Sequence, residues 1–238
     1  MPLSSIEIIN GTLSLIFVII SIIVGLIIVS KYFKLREKIF IFVGLVWIGI
    51  TMPYWSVSTS FLVALITDKP LSLEIYLFIA IFFLPIFFFI WWIAFTDLIC
   101  KEKKKIILIL YSIEALIFEI FFLYYLFTNP SIMGELESPV NMRYLSFVRI
   151  WTIIHAIIFL LTGLLFARGT IKIGNPEMKL KGIFIAIAFV SYFIGVTLDI
   201  LFPVGFVLNR IILMSSAVEF YFGFILPNWM KKLLLKEK

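Results

Sequence analysis

Residues 11–38 read GTLSLIFVIISIIVGLIIVSKYFKLREK. About twenty apolar positions in a row, the length that crosses the hydrocarbon of a bilayer, run straight into Lys31, Lys34, Arg36 and Lys38. The ten residues before this stretch carry no Lys or Arg. A cleaved signal peptide needs a basic start and a short apolar core, so the run reads as a retained first span. Its continuity favours a helix, since a barrel strand would alternate with period two.

The same unit recurs along the chain. Seven apolar stretches fall at about 11–30, 39–66, 75–96, 106–127, 146–167, 183–202 and 207–227. Composition agrees: 63% of the 238 residues are hydrophobic and 14% charged, against roughly 45–50% and about 25% in soluble domains. A water-soluble globule of this size cannot bury that much apolar surface. Disordered, coiled-coil and disulfide-scaffold classes are excluded with it. The second stretch is long and holds Pro53, which predicts a tilt or kink. The third has Pro85 in its middle, and the sixth is ended by Pro203.

Charge sets an orientation. The net charge is +6. All but Lys69, Arg143, Arg149 and Arg210 of the 20 basic residues fall in the first, third and fifth connections and the C-terminal tail. The positive-inside rule then predicts an N-terminus outside and a C-terminus in the cytoplasm. The expectation is an all-α, polytopic seven-transmembrane-helix bundle of the plasma membrane. One transmembrane domain covers 1–230, and a basic tail at 231–238 lies on the anionic inner leaflet. Excess positive charge is thus explained by the lipid bilayer, and no nucleic-acid partner is called for. Thr128 to Leu145 (TNPSIMGELESPVNMRYL) is the longest outer connection, and its Pro, Gly and acidic residues read as a surface cap. Spans two and six open similarly, IFIFVGLVWIG and IFIAIAFVSYFIG, which suggests a parallel 3+1+3 repeat.

Ionisable residues within spans are functional candidates by default. Arg149, Asp199 and Arg210 fall about one turn below the outer face, with Glu119 and His155 about 12–14 Å deep at ~1.5 Å per residue. Glu114 and Glu219 lie nearer the cytoplasm. Asp199 can pair with Arg149 or Arg210, leaving one guanidinium for an anionic ligand. The bland alternative is that both arginines snorkel outward. His155 and Glu119 can share a proton at the floor of such a pocket. Kinks in spans two and three would open a cavity that Trp55, Trp151, Tyr192 and Tyr221 can line. Trp91, Trp92 and Trp229 read as interfacial anchors. The ligand-binding candidates are therefore Trp55, Arg149, His155, Asp199 and Arg210, and the proton-relay candidates are Glu119, His155 and Glu219.

Several chemistries lack their residues. The seventh span has no lysine for a retinal Schiff base, as microbial rhodopsins require. The one histidine cannot supply paired haem ligands or an HExxH zinc motif. No GxSxG serine motif appears, and there is no glutamine for the Pro-Gln pair of PQ-loop transporters. Cys100 is alone, so it forms no internal disulfide or cysteine metal cluster. No catalytic residue, metal or cofactor is expected.

The close of span seven, Tyr221-Phe-Gly-Phe-Ile-Leu-Pro-Asn-Trp-Met-Lys-Lys232, resembles the end of the seven-helix sensor region at the N-terminus of many prokaryotic histidine kinases. There a G-F-x-x-P-x-W stretch and basic residues lead into the cytoplasmic part. Gly223, Phe224, Pro227 and Trp229 hold those positions here. The resemblance implies a stand-alone receptor or sensor that binds a small-molecule ligand and signals to a separate cytoplasmic or membrane partner. Two other readings stay open: a small proton-coupled transporter, and an assembly subunit of a membrane complex.

Overall fold

A computed structural model describes residues 3–201 and 206–235; Pro203 and the last three residues, with Lys236 and Lys238, lie outside them. The described residues are all-α apart from one hairpin. Helix α1 (Ser5–Leu35) is followed by α2 (Ile39–Gly49), α3 (Met52–Thr67), α4 (Leu73–Ile81), α5 (Leu84–Ile99) and α6 (Lys104–Thr128). Strands β1 (Gly134–Ser138) and β2 (Asn141–Tyr144) come next, then α7 (Ser146–Ile171), α8 (Pro176–Leu201), α9 (Phe206–Phe224) and α10 (Asn228–Leu235). Among the described residues, six helical segments are long and apolar enough to cross a membrane, and the bent pair α2–α3 makes up to seven.

Sequence explains the ends and the breaks. Ser4 caps α1 in a reciprocal box with Glu7. Pro53 in the first turn of α3 can neither donate a hydrogen bond nor fit beneath the preceding turn. The two halves of the second span therefore meet at 46°, where a bend was expected. Pro85 likewise starts α5 after a break at Phe82–Phe83, although Leu73–Ile99 continues as one apolar segment.

Around the bundle, α1 touches α2, α3 and α9, α2 meets α5, α5 meets α7, α7 meets α8, and α8 meets α9. These helices close a ring. Helix α6 stands outside it, packed on α4 and α5, and it is the least buried of the six long segments. Aromatic rings fill the centre: Trp47 of α2 stacks on Phe220 of α9 with centroids 4.1 Å apart. Trp91, expected as an interfacial anchor, is instead 1% exposed. It donates to Thr162 Oγ1 at 2.8 Å, because its ring faces α7 rather than the bundle's rim.

The Thr128–Leu145 connection is more than a surface cap. It folds into an antiparallel hairpin in which Glu135 faces Arg143. Arg143 also reaches Glu137 at 3.3 Å, and the two carboxylates hold its pKa above the usual arginine value. The polar face points outward, while Met133, Val140 and Met142 are buried. The hairpin tip is thus inserted into the end of the ring.

Close approach of α1 and α2 depends on two glycines. A Cβ on Gly44 would stand 2.5 Å from the Gly25 carbonyl oxygen, and one on Gly25 would stand 2.5 Å from Ile48 Cγ1. Backbone contact of this kind is how helices associate where no hydrophobic force drives them together. Gly44→Ala is expected to destabilise the protein by about 1–3 kcal/mol through overpacking. Gly169→Ala, which meets only the tip of Ile99 at 3.3 Å, should leave the thermal midpoint in detergent nearly unchanged.

Candidate functional site

Beneath the hairpin tip lies a cavity of about 80 Å³. A single water needs ~10–15 Å³, so there is room for a small molecule. Its wall includes Tyr54, Tyr76, Tyr144, Tyr192, Asp199 and Arg210, with Val140 and Met142 of the hairpin above. The remainder is mainly apolar, with Val57, Leu84, Phe88 and Phe159 among its members.

Arg210 anchors the polar side. It is 4% exposed, so it does not snorkel. One guanidinium nitrogen donates to Asp199, while Nε donates to Ser14 Oγ at 2.8 Å and to Asn10 Oδ1 at 3.2 Å. The group lies over the Tyr54 ring, 4.8 Å from its centroid. Asn209 Nδ2 donates to the other Asp199 oxygen at 3.0 Å. Asn10 Nδ2 in turn donates to the Val140 carbonyl at 3.0 Å. One hydrogen-bonded set therefore joins α1, α8, α9 and the hairpin tip.

At the base of the cavity the helix break is put to use. Tyr54 N–H bonds to Thr51 rather than to Ile50, which leaves the Ile50 carbonyl without its helical donor. The Tyr192 hydroxyl donates to it at 2.7 Å. Thr51 Oγ1 donates back to Ile48, and Ser56 Oγ back to Pro53, each at 2.7 Å. Every one of these bonds supplies a backbone group that lipid could not.

The sequence candidates divide. Asp199 and Arg210 are brought together in the cavity wall. Arg149, the other partner considered for Asp199, is half-buried and not among the lining residues. No spare guanidinium is left there for an anion. Trp55 is not in the wall either; its indole donates to Thr51 Oγ1 at 3.1 Å, and the preceding residue, Tyr54, faces the cavity instead.

His155 is buried behind the wall against Phe88, Tyr111 and Trp151. Its expected proton partner, Glu119, is replaced by Glu114. Glu114 lies 3.5 Å from His155 Nε2 and accepts from the Trp151 indole at 2.6 Å. The reason is helical spacing: five residues separate the two glutamates, so only one can face α7. Glu119 lines a different groove, on the outer side of α4 and α5. Glu219 is half-buried on α9 with one oxygen lacking a partner. No hydrogen bond links Glu119, His155 and Glu219 among the described residues.

Asn10, Ser14 and Asn209 were missed by reading ionisable groups alone. Their signal was spacing. Asn10 and Ser14 are four apart on one helix face, which continues through the buried Ser21 and Gly25. Among the described residues, no three His, Cys, Asp or Glu side chains converge as metal ligands. The chain matches no protein-family model, no curated protein and no solved structure.

Arg210→Ala leaves the half-buried Asp199 without its counter-charge, which costs up to about 3 kcal/mol, the lower end of the range for a fully buried pair. The charge-free double variant Arg210→Met with Asp199→Leu should lose much less. Thermal unfolding in detergent measures both, and the double variant is expected to melt above the single one.

Proposed function

We propose that this protein is a seven-transmembrane, receptor-like sensor of the plasma membrane, with its N-terminus outside and its C-terminus in the cytoplasm. In this reading a small ligand enters from outside, occupies the cavity beneath the hairpin, and changes how the cytoplasmic end meets a separate signalling partner. The observation that carries the proposal is the cavity itself: one buried polar set ties its lid to three helices.

The charges specify the ligand's class. Asp199 and Arg210 neutralise each other, and the rest of the wall is mainly aromatic or aliphatic, with Asn141 and Thr152 as its uncharged polar members. An uncharged or zwitterionic molecule with a flat apolar body suits such a wall. An anion, the class expected from a spare guanidinium, would have to break the Arg210–Asp199 pair first. Binding would work through two elements. The hairpin tip is held through Asn10, which also holds Arg210. The α2–α3 break is held by Tyr192. A ligand that contacts either differently in two arrangements shifts the balance between them. At the lysine-rich end, Glu177 bonds Lys181 at 2.8 Å and Lys231 of α10 at 2.7 Å. The exposed Trp229, Leu233 and Leu234 beside this clasp suit the inner leaflet.

The ring supports a second reading. Spans one to three and five to seven form its two halves, with the fourth span outside, which is the arrangement a parallel 3+1+3 transporter would have. The unlinked Glu119, His155 and Glu219 give that reading no proton path.

A metabolite panel screened by thermal shift in lipid nanodiscs is expected to yield an uncharged or zwitterionic stabiliser. Ala156→Phe, which fills the cavity from its wall, should abolish that shift of several degrees without lowering the basal midpoint by as much. If no compound shifts the midpoint, the ligand-binding reading fails. For orientation, a fluorescent-protein fusion at the C-terminus should be bright, and alkaline phosphatase inserted at Ser138 should be active. The reverse pattern would overturn the topology.

A further inference from the structure

Outside the ring, a groove with about 480 Å³ of open space runs between α6 and the Phe82–Phe89 stretch of α5 and the break before it. Phe82, Pro85, Ile86 and Phe89 form one wall, and Ser112, Ala115, Leu116, Glu119 and Leu123 form the other. The second set is spaced at three and four residues, so it is a single stripe down α6. The groove lies beside the break at Phe82–Phe83, where α4 gives way to α5.

Both carboxylate oxygens of Glu119 are buried and have no hydrogen-bond partner. The donors nearby in sequence are already engaged: Ser112 Oγ donates to Leu108 at 2.7 Å, and the Tyr111 hydroxyl donates to Pro85 at 2.9 Å. An unpaired carboxylate in an apolar medium is among the most costly arrangements a chain can hold. The flanking surface of α6, with Ile113, Leu116, Ile117 and Ile120, is exposed and apolar. A partner for Glu119 therefore arrives from the bilayer, not from water.

We propose that this groove is a lateral binding site for an amphiphilic cation dissolved in the membrane, its protonated amine paired with Glu119 and its hydrocarbon body laid between α5 and α6. A cationic donor is favoured over a neutral one because charge-assisted hydrogen bonds are about twice as strong. A small amphiphile is favoured over a partner helix because of length. Ser112 to Leu123 covers roughly 16 Å at ~1.5 Å per residue, half the ~30 Å of a full span. A hydrocarbon chain of about a dozen carbons fills it.

The test is chemical labelling in phosphatidylcholine nanodiscs. Dicyclohexylcarbodiimide, which reacts with carboxylic acids buried in lipid, should modify Glu119, as read by peptide mass spectrometry, and the adduct should vanish in Glu119→Gln. Dodecylamine should slow the labelling at least fivefold, whereas dodecanol, with the same chain and no positive charge, should not. In Ala115→Phe, which narrows the groove and keeps the carboxyl, dodecylamine protection should be lost. Failure to label, equal protection by dodecanol, or no protection by dodecylamine overturns the proposal. So does labelling that appears only after dimers are dissociated, because a second copy of the chain would then be the occupant.

Discussion

A charge placed in hydrocarbon must be neutralised and hydrogen-bonded by its own protein, and the hairpin end of this bundle is organised around that requirement at Arg210. Its guanidinium draws on α1 and α8, and through Asn10 it fixes the hairpin as well. In water such an arginine would be free to turn outward. Here the polar atoms of Ser14, Asn10 and Asp199 make the inward rotamer the favourable one, and the elements carrying them must stay within hydrogen-bond reach. The cavity exists because that set holds one side of the ring while aromatic rings hold the other.

Backbone groups obey the same rule. Two prolines break spans two and three, and each break leaves carbonyls without helical donors. The Ile50 carbonyl is satisfied from across the ring by Tyr192. Proline thus opens space, and the bond that repairs the break adds a polar contact at the base of that space. The break is a joint between the hairpin half and the lysine half of the second span, which suits a protein proposed to carry a signal lengthwise.

Helix α6 shows how position within a bundle decides the fate of similar residues. Glu114 and Glu119 are both carboxylates in the middle of one apolar helix. Glu114 meets α7, where the Trp151 indole donates to it and the His155 ring lies within ion-pair distance. Glu119 meets the groove beside Pro85, where no donor is supplied. Pairing in the first case makes a seam between helices, and its absence in the second leaves a surface with an unmet need.

Length and continuity of apolar runs were enough to establish an all-α chain with six or seven membrane-length helices, because a bilayer-length helix satisfies its own backbone bonds without help from distant residues. The kink at Pro53 was legible for the same local reason. Which arginine Asp199 chooses, whether Trp91 faces the rim or the core, and which glutamate meets His155 were decided only by the packing. Each depends on the rotation of one helix against another, which apolar runs leave nearly unspecified because all their faces look alike. The hairpin tip was hidden for a related reason: Val140 is an ordinary residue in a polar loop until Asn10, 130 positions earlier, offers its amide to it.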